Sequence, residues 1–173
     1  VYIVPYLSCG TCQACRIGLT NACCNIRVLG VHCDGGMAEL VPVPEANVIP
    51  TGDIPIEDAA MIEFLAIGAH GIRRGGVTAR DRVLSFAALG FDVAVEEILP
   101  TLRAGATVVL RSDEMLDTLD RFVDELHAQR ITVLNIPTAF WRLLTANLHG
   151  SHRKLPADLR LVIVGGERVP AAK

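Results

Sequence analysis

The pattern of apolar and polar positions divides the chain into two parts. In residues 2–50 apolar residues occur in short runs between glycine, proline and cysteine, which is typical of loops and short strands. Residues 37–43 alternate loosely and predict one edge or barrel strand. Residues 56–74 carry apolar side chains at helical spacing, with acidic residues first and basic residues last, and predict the first long helix.

Beyond Arg80 helical and strand patterns alternate. They predict helices over 93–102, 114–129 and 138–148, and strands over 106–110, 131–136 and 159–164. These strands are continuously apolar, which indicates a parallel sheet covered by helices. The pattern therefore predicts an α+β and α/β composite. An incomplete barrel-like lobe spans residues 1–80, and an incomplete parallel α/β sheet spans residues 81–173.

Composition narrows the classes of function. The 173 residues are 51% hydrophobic and 20% charged, which is typical of a globular protein, and the formal net charge is −3. Without a cluster of basic residues, nucleic-acid binding is not expected. The most apolar run, residues 59–72, is too short to cross a bilayer and contains Glu63 and His70, so no membrane association is expected. No secretory signal is recognisable, and we expect a cytoplasmic protein.

All six cysteines lie in the first 33 residues. Cys9, Cys12 and Cys15 have the spacing CxxCxxC, and Cys23 follows eight residues later. Such clustering without a secretory signal favours a metal over disulfides, and four thiolates at this spacing predict a closed structural zinc site. An iron–sulfur cluster and disulfides are the alternatives, although the ferredoxin pattern has a nearer fourth cysteine followed by proline. The two remaining cysteines are expected to be core thiols: Cys24 and Cys33.

The first part resembles the medium-chain zinc-dependent alcohol and polyol dehydrogenase family over residues 1–84. The resemblance is carried by three segments: CGTCQACRIGLTNACC, LGVHCDGGMAELVPVPEANVIP and EFLAIGAHGIRRGGV. It implies that the four spaced cysteines hold the structural zinc and that Glu63 stands where a ligand of the catalytic zinc stands. Glu63 is also explained as a half-buried carboxylate paired with Arg73 or Arg74.

The catalytic cofactor sites of that family are not expected in this chain. The other two catalytic-zinc ligands of the family, a Cys and a His, precede the cysteine lobe. Where the nicotinamide-binding turn would stand, residues 83–90 read VLSFAALG and contain no G-x-G-x-x-G. No NAD(P) site is therefore predicted.

The second part resembles the adenylation domain of nonribosomal peptide synthetases over residues 81–173. The segments SFAALGFDVAVEEILPTLRAGATVVLR, ITVLNIPTAFWRLL and LRLVIVGGERVP carry this resemblance. It implies that Asp92 pairs with the α-ammonium group of an amino acid. It also implies that five residues line the side-chain pocket: Val93, Glu96, Asn135, Ile163 and Gly165.

The residues leave simpler explanations open. Asp92 is suited to cap the helix predicted from Val93. Glu96 and Glu97 fit a solvated helix face or partners of the helix dipole in the first turn. Asn135 fits a turn at a strand end.

No ATP site is expected, because the phosphate loop, the ribose-binding Asp and the catalytic Lys of the adenylation family are not found. Lys173 matches no family motif. We therefore expect a zinc-binding dehydrogenase fragment joined to an adenylation fragment, without complete catalytic machinery. Amino-acid activation and NAD(P)-dependent oxidoreduction are the alternatives. Exposed edges of the sheet predict self-association, and zinc is expected to order residues 1–50.

Overall fold

A computed structural model describes residues 1–167 and divides the chain into two compact units, Val1–Ile62 and Glu63–Lys173. The last three residues of the segment LRLVIVGGERVP, 168–170, and Lys173 lie outside the described residues. The predicted boundary between residues 80 and 81 stays a prediction, because it concerns sequence ancestry rather than packing.

The first unit consists mainly of loops with very short regular elements. The elements are β1 (Tyr2–Ile3), β2 (Tyr6–Leu7), α1 (Gln13–Arg16), a 3₁₀ turn (Thr20–Ala22), β3 (Arg27–Val28), a 3₁₀ turn (Glu45–Asn47), β4 (Val48–Ile49) and α2 (Ile56–Ala59). Two antiparallel pairs form, β1 with β4 and β2 with β3. The predicted cysteine-rich lobe with short strands is thus confirmed.

The strand predicted over residues 37–43 is wrong, since that segment has no regular structure. Met37 and Leu40 are almost fully exposed, so no apolar surface holds the segment in place. Pro42 also lacks the N–H group that a ladder requires. The helix predicted over residues 56–74 is interrupted by a tight turn, in which the Met61 N–H donates to the Asp58 carbonyl at 3.1 Å.

The second unit is a four-stranded parallel sheet with helices. Its elements are α3 (Ile62–Gly75), β5 (Arg82–Ser85), α4 (Asp92–Arg103), β6 (Thr107–Leu110), a 3₁₀ turn (Glu114–Leu116), α5 (Leu119–Ala128), β7 (Val133–Pro137), α6 (Thr138–Ser151) and β8 (Leu161–Gly165). The strand order is β6-β5-β7-β8, and every pairing is parallel. The predicted α/β sheet is confirmed.

Alternation along the strands creates two different faces of this sheet. Leu84 and Leu134 point into a core shared with Phe122 and Leu126 of α5 and Leu144 of α6. Their neighbours in the strands point to the opposite face, because successive side chains of a strand alternate. On that face lie α3 and α4. Since the chain leaves β5 for β6 on one side and returns to β7 on the other, β5 and β7 form the switch point of the sheet.

Within the described residues, no helix is both long enough and apolar enough to cross a membrane.

Candidate zinc centre and ligand-binding crevice

The four spaced cysteines converge in the first unit. The sulfur atoms of four cysteines all lie within 4.8 Å of one another: Cys9, Cys12, Cys15 and Cys23. In residues 1–167 this is the only group of three or more metal-ligating side chains found in such proximity. Cys23 is buried and the other three are half-buried.

Local backbone geometry brings the sulfurs together. Gly10 has φ of +71°, a conformation that favours glycine, and it reverses the chain between Cys9 and Cys12. The Cys12 N–H then donates to Cys9 Sγ at 3.4 Å, and the Cys9 N–H donates to Cys23 Sγ at 3.3 Å. Both hydrogen bonds run from a backbone N–H to a sulfur, which is the kind of hydrogen bond that a thiolate accepts.

The acidities of the thiols differ across the cluster. The hydroxyl of Thr11, with backbone N–H groups, lowers the pKa of Cys9 to about 5. Burial, together with the hydrogen bond that the Cys15 thiol shares with Cys12 Sγ at 3.5 Å, raises the pKa of Cys15 to about 12. Four thiolates at this separation repel one another, so a central cation is needed for all four to ionise together.

The two remaining cysteines are not both core thiols. Cys24 is exposed, which contradicts the expectation from sequence, whereas Cys33 is half-buried and donates to the Val28 carbonyl at 3.8 Å. The physical reason is the small core of the first unit: Cys23 is its only buried residue, so no core surrounds the neighbouring Cys24. A hydrogen bond with Cys12 raises the pKa of Cys24.

Glu63 lies in the first turn of α3 and is half-buried. Its carboxylate is close enough to Glu96 of α4 to contribute to the raised pKa of Glu96, after burial and Asp92. Glu63 belongs to no group of three or more metal-ligating side chains within residues 1–167. Its assignment as a catalytic-zinc ligand stays a prediction.

The second unit contains a cavity of about 660 Å³ at the carboxyl ends of its strands, on the face covered by α3 and α4. This is the switch-point position at which open α/β sheets bind ligands. Its volume falls within the range of roughly 300–1,000 Å³ found for small-molecule sites. Its lining contains five of the six residues assigned to the amino-acid site: Val93, Glu96, Asn135, Ile163 and Gly165.

Asp92 lies outside that lining. It is exposed in the first turn of α4, where its Oδ1 accepts the Val93 N–H at 2.9 Å. The helix begins at Asp92 itself and Phe91 is its N-cap residue, so the interpretation of Asp92 as the cap of a helix from Val93 is wrong. Asn135 is not a turn residue, because it lies within β7 and pairs with Ile163 of β8.

Glu97 is the residue that the sequence interpretation missed. It is 4% exposed, so the solvated-face interpretation is wrong for this side chain. Its Oε2 accepts the Ala87 N–H at 3.0 Å, and its Oε1 accepts Asn135 Nδ2 at 3.4 Å. Burial outweighs these hydrogen bonds and raises the pKa of Glu97 to about 7. Glu97 follows Ala94 by three residues and precedes Thr101 by four, and both of these residues are buried. This helical spacing is the signal in the sequence that could have placed Glu97 on the buried face of α4.

Comparison with known proteins assigns both parts. The AMP-binding enzyme family matches residues 55–172, and the alcohol dehydrogenase GroES-like domain matches residues 1–55. The chain therefore belongs to the AMP-binding enzyme family and carries an N-terminal domain of the zinc alcohol dehydrogenase type.

Individual relatives repeat this division. The chain is 42% identical over 114 residues to an isonitrile lipopeptide synthase of Streptomyces coeruleorubidus, covering 66% of this chain and 8% of the synthase. It is 45% identical over 84 residues to L-galactonate-5-dehydrogenase of Escherichia coli, covering 49% of this chain and 25% of that enzyme. The chain thus spans a quarter or less of these two relatives.

A solved structure extends the likeness in fold. Galactitol-1-phosphate dehydrogenase from Escherichia coli superposes with a TM-score of 0.66 and 22% identity, covering 95% of this chain and 59% of the dehydrogenase. At this identity the likeness concerns the fold alone.

Proposed function

We propose that the chain is a zinc-binding protein in which Cys9, Cys12, Cys15 and Cys23 hold one structural zinc ion, and that it does not by itself complete a dehydrogenase or adenylation reaction. The observation that carries the proposal is the convergence of the four sulfurs within 4.8 Å. Sulfurs that surround zinc tetrahedrally at roughly 2.3 Å lie about 3.8 Å apart, so small side-chain adjustments suffice.

The donor set indicates a structural role. Four protein thiolates fill a tetrahedral zinc site and leave no position for water or substrate. The strands of the first unit are two residues long, and its helices and 3₁₀ turns are three or four residues long. The unit therefore has little regular structure of its own. Zinc binding would therefore contribute directly to the folding free energy of this unit.

Elemental analysis of the purified chain tests this role. We expect about one zinc per chain, as a closed tetrathiolate site requires. Cys23→Ser should abolish stoichiometric zinc, whereas Cys24→Ser, one residue away and exposed, should retain it. Equal zinc content in both variants, or iron in place of zinc, would contradict the assignment.

A second candidate function is the binding of an amino acid in the crevice of the second unit. It is favoured by the presence of Val93, Glu96, Asn135, Ile163 and Gly165 in one cavity lining. Asp92, at the start of the same helix, is proposed as the partner of the α-ammonium group.

Two assays separate binding from catalysis. Amide chemical-shift changes on titration with L-leucine should map to the crevice and be weakened by Asp92→Asn. ATP-dependent pyrophosphate exchange and NAD(P)-dependent alcohol oxidation should both be absent. Sustained turnover in either assay would overturn the proposal that the chain is not a complete enzyme.

A further inference from the structure

A second cavity of the second unit lies outside the crevice described above. It is a surface groove of about 640 Å³ between α3 and α4, and most of its lining is apolar. It shares only Ile72 and Val77 with the crevice. Elsewhere the two helices touch, because a Cβ atom at Gly68, which lines the crevice, would lie 2.3 Å from Cγ of Pro100, which lines the groove. This α3–α4 groove is therefore a separate candidate site.

Apolar side chains from both helices line the α3–α4 groove. Leu65, Ala69 and Ile72 follow one another at helical spacing on α3, and Leu99 lines the groove from α4. Leu65 is 40% exposed and Leu99 is 43% exposed, so two large apolar side chains remain in contact with water. An aliphatic chain lying along this strip would remove apolar surface of the protein and of the chain from water.

Two arginines give one end of the groove a positive charge. Arg73 and Arg103 line the groove from the last turns of α3 and α4. These helix ends lie side by side, since a Cβ atom at Gly105, just after α4, would lie 3.5 Å from Cβ of Ala79, shortly after α3. Arg73 contacts His70 Nδ1 at 3.4 Å, but neither arginine forms an ion pair within residues 1–167. Two such guanidinium groups favour an anion, and they match the geometry of a carboxylate.

The opposite ends of the two helices are acidic. Glu63 lies in the first turn of α3, and Asp92 lies in the first turn of α4. A carboxylate is repelled there, so the head of an anionic ligand belongs at the arginines and its tail toward Leu65. Leu65 precedes Arg73 by eight residues, which is roughly 12 Å along the helix axis. An extended decanoate chain is of comparable length.

We propose that the α3–α4 groove binds a straight-chain fatty carboxylate. Its carboxylate pairs with Arg73 and Arg103, and its alkyl chain lies against Leu65, Ala69 and Leu99. The site is independent of the zinc centre and of the amino-acid crevice, and it takes a ligand of a different class. Helix α3 lies in the segment that resembles dehydrogenases and α4 in the segment that resembles adenylation domains, so the groove arises from the combination of the two in this chain.

The test compares three probes on the full-length, zinc-loaded chain, each below the concentration at which it forms micelles: decanoate, decylammonium and butanoate. Binding is followed by amide chemical shifts, with Ala69 and Ala104 as reporters of the groove and Asn135 as the reporter of the crevice. Decanoate should shift the groove reporters and leave Asn135 unchanged. It should bind about tenfold or more tightly than butanoate, because its longer chain buries more apolar surface. It should bind about tenfold more tightly than decylammonium, which the two arginines repel.

Variants assign these preferences to residues. Arg73→Gln and Arg103→Gln should each weaken decanoate binding about fivefold, the upper value for an exposed ion pair. The matched control is Arg74→Gln, the next residue of α3 and outside the groove lining, which should bind decanoate as the wild type does. Ala69→Phe should abolish decanoate binding, because the ring occupies the groove. Its matched control is Ala146→Phe at an exposed position of α6, which should leave binding unchanged.

Several results would overturn the inference. Decylammonium binding as tightly as decanoate, the same loss in Arg74→Gln as in Arg73→Gln, or full binding by a folded Ala69→Phe variant would each do so. Decanoate shifts confined to Asn135 would place the ligand in the crevice instead. A dimer that Ala69→Phe dissociates in sedimentation, without any decanoate shift in the wild type, would assign the groove to a second copy of the chain. None of these results alters the expected zinc content or L-leucine binding, so the inference fails separately from the proposed functions.

Discussion

A buried carboxylate, Asp81, ties four elements of the second unit together. Its oxygens accept hydrogen bonds from the Thr78 N–H at 2.8 Å, from Thr132 Oγ1 at 2.8 Å and from two nitrogens of Arg160 at 2.8 and 2.7 Å. Arg160 also donates to the carbonyls of Gly75 and Gly76 at 2.9 and 3.0 Å. One ion pair therefore holds the end of α3 against the beginnings of β5, β7 and β8.

Asp81→Asn keeps the size of this side chain and removes its charge. Loss of one partner of a buried ion pair costs about 3–5 kcal/mol. The Arg160 side chain is 41% exposed, so water compensates part of its charge, and we expect a loss of about 2–3 kcal/mol at pH 7. The matched control is Asp113→Asn, whose fully exposed carboxylate pairs with Arg111 at 3.5 Å and which should leave the free energy of unfolding nearly unchanged.

The pH dependence adds a second test. The hydrogen bond with Arg160 holds the pKa of Asp81 well below its usual range. A depressed pKa stabilises the fold above the unfolded-state pKa of about 3.9, and this stabilisation is lost as the pH falls below it. The difference between wild type and Asp81→Asn should therefore shrink by about 1 kcal/mol between pH 7 and pH 3.

Urea denaturation at both pH values measures these quantities. The reasoning is refuted if Asp81→Asn costs less than about 1 kcal/mol at pH 7, or if the cost is the same at pH 3.

Three further predictions follow from other parts of the molecule. A zinc chelator should make residues 1–50 sensitive to limited proteolysis while the α/β unit stays resistant; one uniformly resistant core with and without the chelator would contradict this. Because the pKa of Glu97 is raised to about 7, the folded state loses stability as the pH rises from about 4.5 to about 7. In urea denaturation Glu97→Gln should therefore be more stable than the wild type by on the order of 3 kcal/mol at pH 8, and equally stable at pH 4.5. Equal stability at both pH values would exclude this burial cost. In thermal denaturation Gly68→Ala should destabilise by about 1–3 kcal/mol through its clash with Pro100, whereas Gly71→Ala should stabilise by up to about 1 kcal/mol; equal effects would disprove the close helix contact.

Much of the fold could be predicted from local patterns in the sequence. Cys9, Cys12 and Cys15 lie within a short stretch of the chain, so the proximity of their thiols follows from the local backbone. The parallel strands were recognisable because continuous apolar runs are required where both faces of a strand are covered. Helix α5 begins at Leu119, five residues after the predicted start, because Thr118 caps it: the Thr118 Oγ1 accepts the Arg121 N–H at 3.1 Å.

The sequence by itself determined the cysteine lobe, the α/β alternation and the two families from which the chain is built. Tertiary structure alone decided that residues 37–43 form no strand, that Glu97 is buried and that Val93, Asn135 and Ile163 line one cavity. The physical reason is that backbone propensity and spacing act over a few residues. Burial depends instead on which faces of separate elements meet, and residues distant in sequence set that choice.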